Sequence, residues 1–546
     1  MGSDKRRELN PSGGAKPYGS GKPVGSGPRP LGSAKLIGNG PKPLGSTKPV
    51  GTSGPARTPK PAPGARPAYG RRPAGTVIRT PSGARPTPRP VSRPPEESTG
   101  LTMGARRLAL EVLRGVHEKG AYAALALNQS LATSRLSPID RRLVTSIVYG
   151  VLENQIKIDF ALDRLMEHPT RDIVLRDILR LSACQILFHD RIPDSAAVNE
   201  GVKLAKAMDM EGAAGFLNAV LRNLVRGKDE IPWPKEEDDY RTYLHVMGSM
   251  PLWIVDRLTE AYGPEEAKAI AMHRAQNHPM VVRPNMLRLT DAQFETLLHQ
   301  KVWQVTRGLA PHAYLVSGAA EITLDRDYQK GMFSIQGQSS MLAAEAVQAK
   351  PGMKVLDACA APGGKSAYLC EAMQGTGRVY AWELHEKRAM LLESTKRRLG
   401  LENLRISVRD AAEPKPEMEG TLDAVLLDAP CSGLGVMVEK PDLKYRVQPG
   451  DIEPIVSQQK KLLEALCRFV KPGGLLVYST CSILPEENAE QIASFLNAHP
   501  EFTVEPLPVS FPQELRLKQN ALGLQLLGYR DEVEGFYIVR LRKARA

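Results

Sequence analysis

Two cysteines stand where chemistry is most easily done: Cys431, in Asp428-Ala429-Pro430-Cys431-Ser432-Gly433, and Cys481, in Tyr478-Ser479-Thr480-Cys481-Ser482. Each closes an apolar run that reads as a strand. A thiol is intrinsically nucleophilic, although only a few per cent ionises near neutrality at an ordinary pKa of about 8.5. Carbon 5 of a pyrimidine needs such help, because it is a poor nucleophile until a thiolate adds at carbon 6. After methylation a base must take the carbon-5 proton so that the thiol can leave. Two thiols over one ring suit these two steps, and Asp428 can hold cytosine at nitrogen 3. A stacked base must first be extruded. Pro485-Glu486-Glu487-Asn488 is expected to open a helix whose N-terminal dipole lowers the Cys481 pKa. Spacing proposes the pair without ordering it.

Upstream lies a strand-to-helix loop, Asp357-Ala358-Cys359-Ala360-Ala361-Pro362-Gly363-Gly364-Lys365. In an open parallel sheet a ligand sits beyond the carboxyl ends of the strands, against such a loop. Glu383, at the end of the next strand, can accept from a ribose diol, and Asp410 from an adenine amino group. NAD would suit the same geometry, yet Gly-x-Gly-x-x-Gly is absent. S-adenosylmethionine is the leading cofactor candidate.

These side chains need a scaffold, and from residue 336 strands and helices alternate. Strands are expected over 355–357, 377–383, 405–408, 424–428, 475–480 and 535–541, with helices over 364–373, 386–399 and 455–470. Alternation of this kind predicts a doubly wound parallel sheet, a Rossmann-like α/β domain over 336–546. Residues 103–230 read as an all-α bundle. Ser137-Pro138-Ile139-Asp140 supplies an N-cap and first turn, and Val144, Ile147, Val148, Val151 and Leu152 recur at the spacing of one buried face. Residues 231–335 read as a linker, charged and aperiodic over 228–246, and a small α+β module.

The remaining hundred residues differ in kind. Residues 1–100 hold 20 of the 44 prolines, 18 of the 47 glycines and a net charge of +14, leaving −1 for the rest of a chain of net +13. Such a segment cannot bury enough surface to offset its entropy, and disorder is expected. Within it a cation followed three residues later by glycine recurs from Lys16 to Gly51. The repeat suits a non-specific phosphate contact, or simply a solubilising tail. The six cysteines lack the paired spacing of zinc sites or disulfide scaffolds, so no metal is expected. With no apolar run of about 18 residues and no signal-peptide core, a cytoplasmic monomer without membrane contact is expected.

Two resemblances refine this. Arg106-Arg107-Leu108-Ala109-Leu110-Glu111-Val112-Leu113, Asp140-Arg141-Arg142-Leu143-Val144, Asn199-Glu200-Gly201-Val202 and residues 216–222 resemble the RNA-binding antitermination factor NusB. That resemblance makes Arg106, Arg107, Arg141 and Arg142 candidates for phosphate contacts. Residues 357–365, 428–433 and 478–488 resemble the signature motifs of the RNA cytosine-5 methyltransferases, and the NusB-like segment ahead of them matches the RsmB (Sun, Fmu) type acting on 16S ribosomal RNA. The likeness covers about 103–546. It implies Cys481 as nucleophile, Cys431 as release base, and Cys359, Ala360, Ala361, Pro362, Gly363, Gly364, Lys365, Glu383, Asp410 and Asp428 around S-adenosylmethionine. Gln336-Gly337-Gln338, Glu439-Lys440 and Glu383 depart from the family's commoner residues.

Alternatives are attack by Cys431, another RNA such as tRNA, and a non-catalytic ribosome-assembly or antitermination factor. Deleting residues 1–100 is expected to weaken RNA binding and flatten its dependence on salt. An unchanged slope in a salt titration would make the tail a solubiliser.

Overall fold

The computed structural model describes residues 98–274, 279–319 and 322–545. The expectation of disorder over 1–100 lies outside them, except that residues 98–100 open the first helix. Ser98–Lys119 (α1), Ala123–Thr133 (α2), Pro138–Asp163 (α3), Ile173–Phe188 (α4), Asp194–Ala207 (α5) and Ala214–Gly227 (α6) form the helical bundle. α3 begins as its sequence dictates. Ser137 Oγ accepts the Asp140 N–H at 3.2 Å, and Val144, Ile147, Val148, Val151 and Leu152 are fully buried. Arg106 departs from expectation: it is 4 % exposed and donates Nε–H to Gln185 at 2.9 Å, so it serves the core and not a phosphate. Arg107 pairs with Glu111 on the surface, Arg141 donates to the Leu131 carbonyl, and Arg142 is exposed.

The stretch read as linker contains a helix, Tyr240–Met247 (α7), capped by Asp239 accepting from Thr242 N–H at 3.0 Å. Only Leu244 and Val246 on it are buried, too few to announce a period in the sequence. With Leu252–Tyr262 (α8) and Pro264–Met272 (α9) it packs against Leu434, Met437, Ile483 and Leu484, residues of the two cysteine-bearing loops. The small module follows: Met280–Pro284 (β1), Asp291–His299 (α10), Gln304–Arg307 (β2), Tyr314–Ser317 (β3) and Phe333–Ile335 (β4), an antiparallel sheet in the order β2-β3-β1-β4. Val282, Phe294, Tyr314 and Phe333 fill its core.

After Arg326–Gln329 (α11) and Gln338–Glu345 (α12) comes the expected alternation. Its elements are Lys354–Asp357 (β5), Gly364–Ala372 (α13), Arg378–Glu383 (β6), Glu386–Leu399 (α14), Leu404–Val408 (β7), Leu422–Asp428 (β8), Leu443–Arg446 (α15), Pro449–Leu466 (α16), Val470–Thr480 (β9) and Ala489–Ala498 (α17). Phe502–Val504 (β10), Leu524–Leu526 (β11) and Phe536–Lys543 (β12) complete it. The sheet runs β10-β12-β9-β8-β5-β6-β7, with β11 on β12. β5 to β9 are parallel and β12 is antiparallel to β9. Successive residues point to opposite faces. Thus Leu426, Val477 and Ile538 join one core and Leu427, Tyr478 and Val539 the other. Cys184, Cys370 and Cys467 are buried in packing. The long helix starts at Pro449 and gives way to a 3-10 turn at Cys467, earlier at both ends than periodicity predicts.

One buried ion pair ties module to domain. Arg283 of β1 donates to Glu371 of α13 at 2.6 Å and to Gln336 at 2.8 Å, both charged side chains being 0 % exposed. Glu371 also accepts the Met286 N–H at 3.0 Å. Arg283→Met, which strands the carboxyl, is expected to cost about 3–5 kcal/mol, and adding Glu371→Leu should recover most of it. Urea unfolding of the full chain checks both.

Candidate active site

Sheet order alone lines up the predicted residues. Across the carboxyl ends of five parallel strands, β9 leads to Cys481, β8 ends at Asp428 and leads to Cys431, and β5 leads to Cys359 through Lys365. β6 ends at Glu383, and Asp410 lies two residues beyond β7. The strand order switches at β5, running to β6 and β7 on one side and to β8 and β9 on the other, which opens the crevice where α/β sheets take ligands.

The thiols meet. Cys431 Sγ and Cys481 Sγ are 3.1 Å apart, both half-buried and free of disulfides. The contact with Cys431 holds the Cys481 pKa below the ordinary thiol value, against its burial and the charge of Asp428; Lys440 and Lys365 act in the same direction. The same contact with Cys481, with burial and the charges of Cys481, Glu487 and Asp428, pushes the Cys431 pKa far up. The expected cause for Cys481 was a helix dipole. Instead Pro485–Glu487 is one 3-10 turn and the α-helix starts only at Ala489, so the lowering comes from neighbouring side chains.

That turn carries a residue the sequence reading left without a role. Glu487 is 0 % exposed, and its carboxyl group accepts from Ser432 N–H at 2.9 Å, Gln459 Nε2 at 3.0 Å and the hydroxyls of Ser432 and Ser482. Each serine directly follows one of the cysteines. An acid in a charged-looking Pro-Glu-Glu-Asn run gives no hint that it faces inward.

Asp428 is held from both sides. Its Oδ2 accepts from Lys365 Nζ at 2.8 Å and its Oδ1 from Ser479 Oγ at 2.9 Å. Asp428 and Asp357 keep the buried Lys365 ammonium protonated. Behind the loop, Asp357 is fully buried and accepts from Ser366 Oγ at 2.6 Å through Oδ2, whereas its Oδ1 has no hydrogen-bond partner. Burial raises its pKa to about 7, with Asp428 and Glu383 adding to the effect. Glu383 is 3 % exposed and accepts His385 N–H at 3.1 Å; Asp410 accepts Ala412 N–H at 2.8 Å, so it serves the turn as well.

The loop itself is pinned on its outer side. Arg388 donates to the Ala361 carbonyl at 3.2 Å and Thr395 to that of Pro362 at 3.4 Å. Gly363 has φ +109°, and a Cβ there would stand 2.9 Å from Leu392, so only glycine fits. Burial drives the Cys359 pKa up, leaving it a protonated part of the wall. Carboxyl groups at three strand ends and an unpartnered buried oxygen suit a ligand rich in donors and positive charge, and repel a pyrophosphate.

Family models match three successive stretches: the NusB family over residues 103–226, an RsmF/B-like methyltransferase ferredoxin-like domain over 250–323, and 16S rRNA methyltransferase RsmB/F over 344–542. The probable ribosomal RNA small subunit methyltransferase B of Synechocystis is 33 % identical over 448 residues, 81 % of this chain and 100 % of that one. Its Bacillus subtilis counterpart is 35 % identical over 444 residues, 80 % of this chain and 98 % of the relative. The crystal structure of PH0851 aligns over 81 % of this chain and 99 % of its own, with a TM-score of 0.69 and 26 % identity.

If Cys431 is what holds Cys481 low, Cys431→Ala should shift the alkylation of Cys481 by iodoacetamide to higher pH, because its thiolate loses its donor. Rates followed peptide by peptide in a mass spectrometer test this, and a midpoint that stays put or falls contradicts it.

Proposed function

This chain belongs to the ribosomal RNA small subunit methyltransferase B family, and from that premise we propose that it methylates carbon 5 of a cytosine in 16S ribosomal RNA. The observation that carries the reading is the pair of thiols, 3.1 Å apart at the ends of adjacent strands beside a cofactor loop. S-adenosylmethionine, when bound, supplies an electrophilic methyl group. Cys359 through Lys365, Glu383, Asp410 and Asp428 would hold it, and the free Asp357 Oδ1 offers an acceptor for an ammonium.

Cys481 is the attacking thiol in this reading, its thiolate favoured by the contact with Cys431 and by the charges of Lys440 and Lys365. Its sulfur bonds to carbon 6 while the ring electrons shift to carbon 5, and Asp428, oriented by Lys365 and Ser479, meets the ring at nitrogen 3. After carbon 5 has gained its methyl group, that carbon's proton must leave. Here the coupling of the thiols matters. Once Cys481 is bonded to carbon, the charge and the acceptor that held Cys431 protonated are both gone, so Cys431 ionises more easily and can take the proton. The carbon-hydrogen pair then re-forms the ring double bond and expels the Cys481 thiolate.

We assign residues 103–230 to substrate docking, 231–335 to the connecting module and 336–546 to catalysis. The roles separate by mutation. Cys481→Ala should form no covalent RNA adduct and lose methyl transfer by about four orders of magnitude. Cys431→Ala should accumulate an adduct that survives a denaturing gel, since attack proceeds and release does not. A stable adduct in Cys481→Ala reverses the assignment, and bisulfite sequencing of 16S RNA with and without the protein identifies the cytosine.

A further inference from the structure

Beyond the reacting groups, one short stretch of the catalytic domain spends nearly all its polar side chains on other parts of the chain. Asp442 Oδ2 accepts the N–H of Ala123 at 3.1 Å. Ala123 is the first residue of α2, where Tyr122 offers no side-chain cap. Lys444 Nζ donates to the Glu153 carbonyl at 2.8 Å, at the point where Asn154 leaves helical backbone (φ −115°, ψ 19°) and kinks α3. Ser249 Oγ, which meets Tyr445 OH at 3.0 Å, accepts the Ile156 N–H on the far side of that kink at 2.9 Å. Arg446 donates to the Gly120 carbonyl and lies over the Tyr122 ring, 3.8 Å from its centroid.

Glue between domains is made most cheaply from apolar residues. Asp442 and Lys444 are 5 % and 4 % exposed, and burying charged groups to bind backbone atoms gives geometry more than stability. The other end of the same segment is the Cys431 loop. Gly435 N–H donates to the Cys481 carbonyl at 2.9 Å, Gly535 N–H to the Gly435 carbonyl at 3.0 Å, and Lys440 N–H to the Val436 carbonyl at 2.9 Å. A Cβ on Gly435 would stand 2.2 Å from the Gly535 oxygen, so this crossing has no slack.

We propose that residues 442–446 are a latch through which the helical bundle sets the position of the Cys431 loop over the target base, Asp442 and Lys444 being positioning residues for the reaction. This rests on the assignment of Cys431 and Cys481 as the reacting thiols.

The test uses the full chain carrying Asp442→Ala, Asp442→Asn, Lys444→Met or Arg446→Ala, with kcat and KM on 16S RNA, the alkylation rate of Cys481 without RNA, and a thermal melt. Asp442→Ala and Lys444→Met should lower kcat about tenfold or more, since small misplacements of reacting groups are costly, while KM changes little and Cys481 alkylation shifts. Asp442→Asn, which keeps an acceptor oxygen, should retain most of the activity. Should the buried variants fail to fold, the exposed Arg446→Ala, which breaks the Gly120 and Tyr122 contacts alone, must still lower kcat. Unchanged kcat and alkylation, or a loss carried wholly by KM, overturns the latch. Full activity of Cys481→Ala would instead overturn the assignment of the thiols, and the alkylation rates would still judge the latch.

Discussion

Glu487 is the constraint on which the rest of the site depends. Its buried carboxyl group takes four hydrogen bonds, from the backbone and hydroxyl of Ser432, the hydroxyl of Ser482 and the amide of Gln459. Leaving a buried acceptor unsatisfied costs about 1–3 kcal/mol, so neither cysteine loop can shift without breaking bonds to the same group. The turn around it is fixed as tightly. Tyr478 OH donates to the Glu487 carbonyl at 2.7 Å, and the Asn488 side chain joins Thr480, Ser482 and Gln525. Two thiols 50 residues apart in the chain are thus brought to 3.1 Å.

Strand order divides labour across that crevice. β9 and β8 carry the thiols, β6 and β7 carry Glu383 and Asp410, and β5 stands between with its glycine-bearing loop. Lys365 reaches from the loop to Asp428 and so joins the two halves. The ion pair of Arg283 and Glu371 grips the helix that begins with Gly364, which makes the small module a brace for the loop's far end. Both flanking modules therefore bear on the site from outside: one on α13, the other through α7 to α9 on the cysteine loops.

The parallel sheet and the glycine-bearing loop after β5 were legible because apolar runs of strand length alternate with helical periods, and because Gly363 is needed for a backbone conformation other residues resist. The bundle was legible through the Ser137 cap and one strongly periodic face. What sequence hid were residues whose role is set by partners distant in the chain. Arg106 looks like any surface arginine until Gln185, 79 residues away, is folded against it. Glu487 looks solvated until two serines turn toward it. α7 shows too short an apolar face to register, and its burial comes from loops some 190 to 240 residues later.

The same reasoning explains why the thiols are unequal. Nothing in Pro-Cys or Thr-Cys orders them, and the 3-10 turn after Cys481 provides no helix dipole of any length. Their inequality arises from what surrounds each: the charges of Lys440 and Lys365 favour the Cys481 thiolate, and those of Glu487 and Asp428 hold Cys431 protonated. The contact that lowers one thiol raises the other, so a covalent bond at Cys481, as proposed, acts on Cys431 without any movement of the protein. On the proposed mechanism, attack prepares release through one contact that the chemistry itself removes.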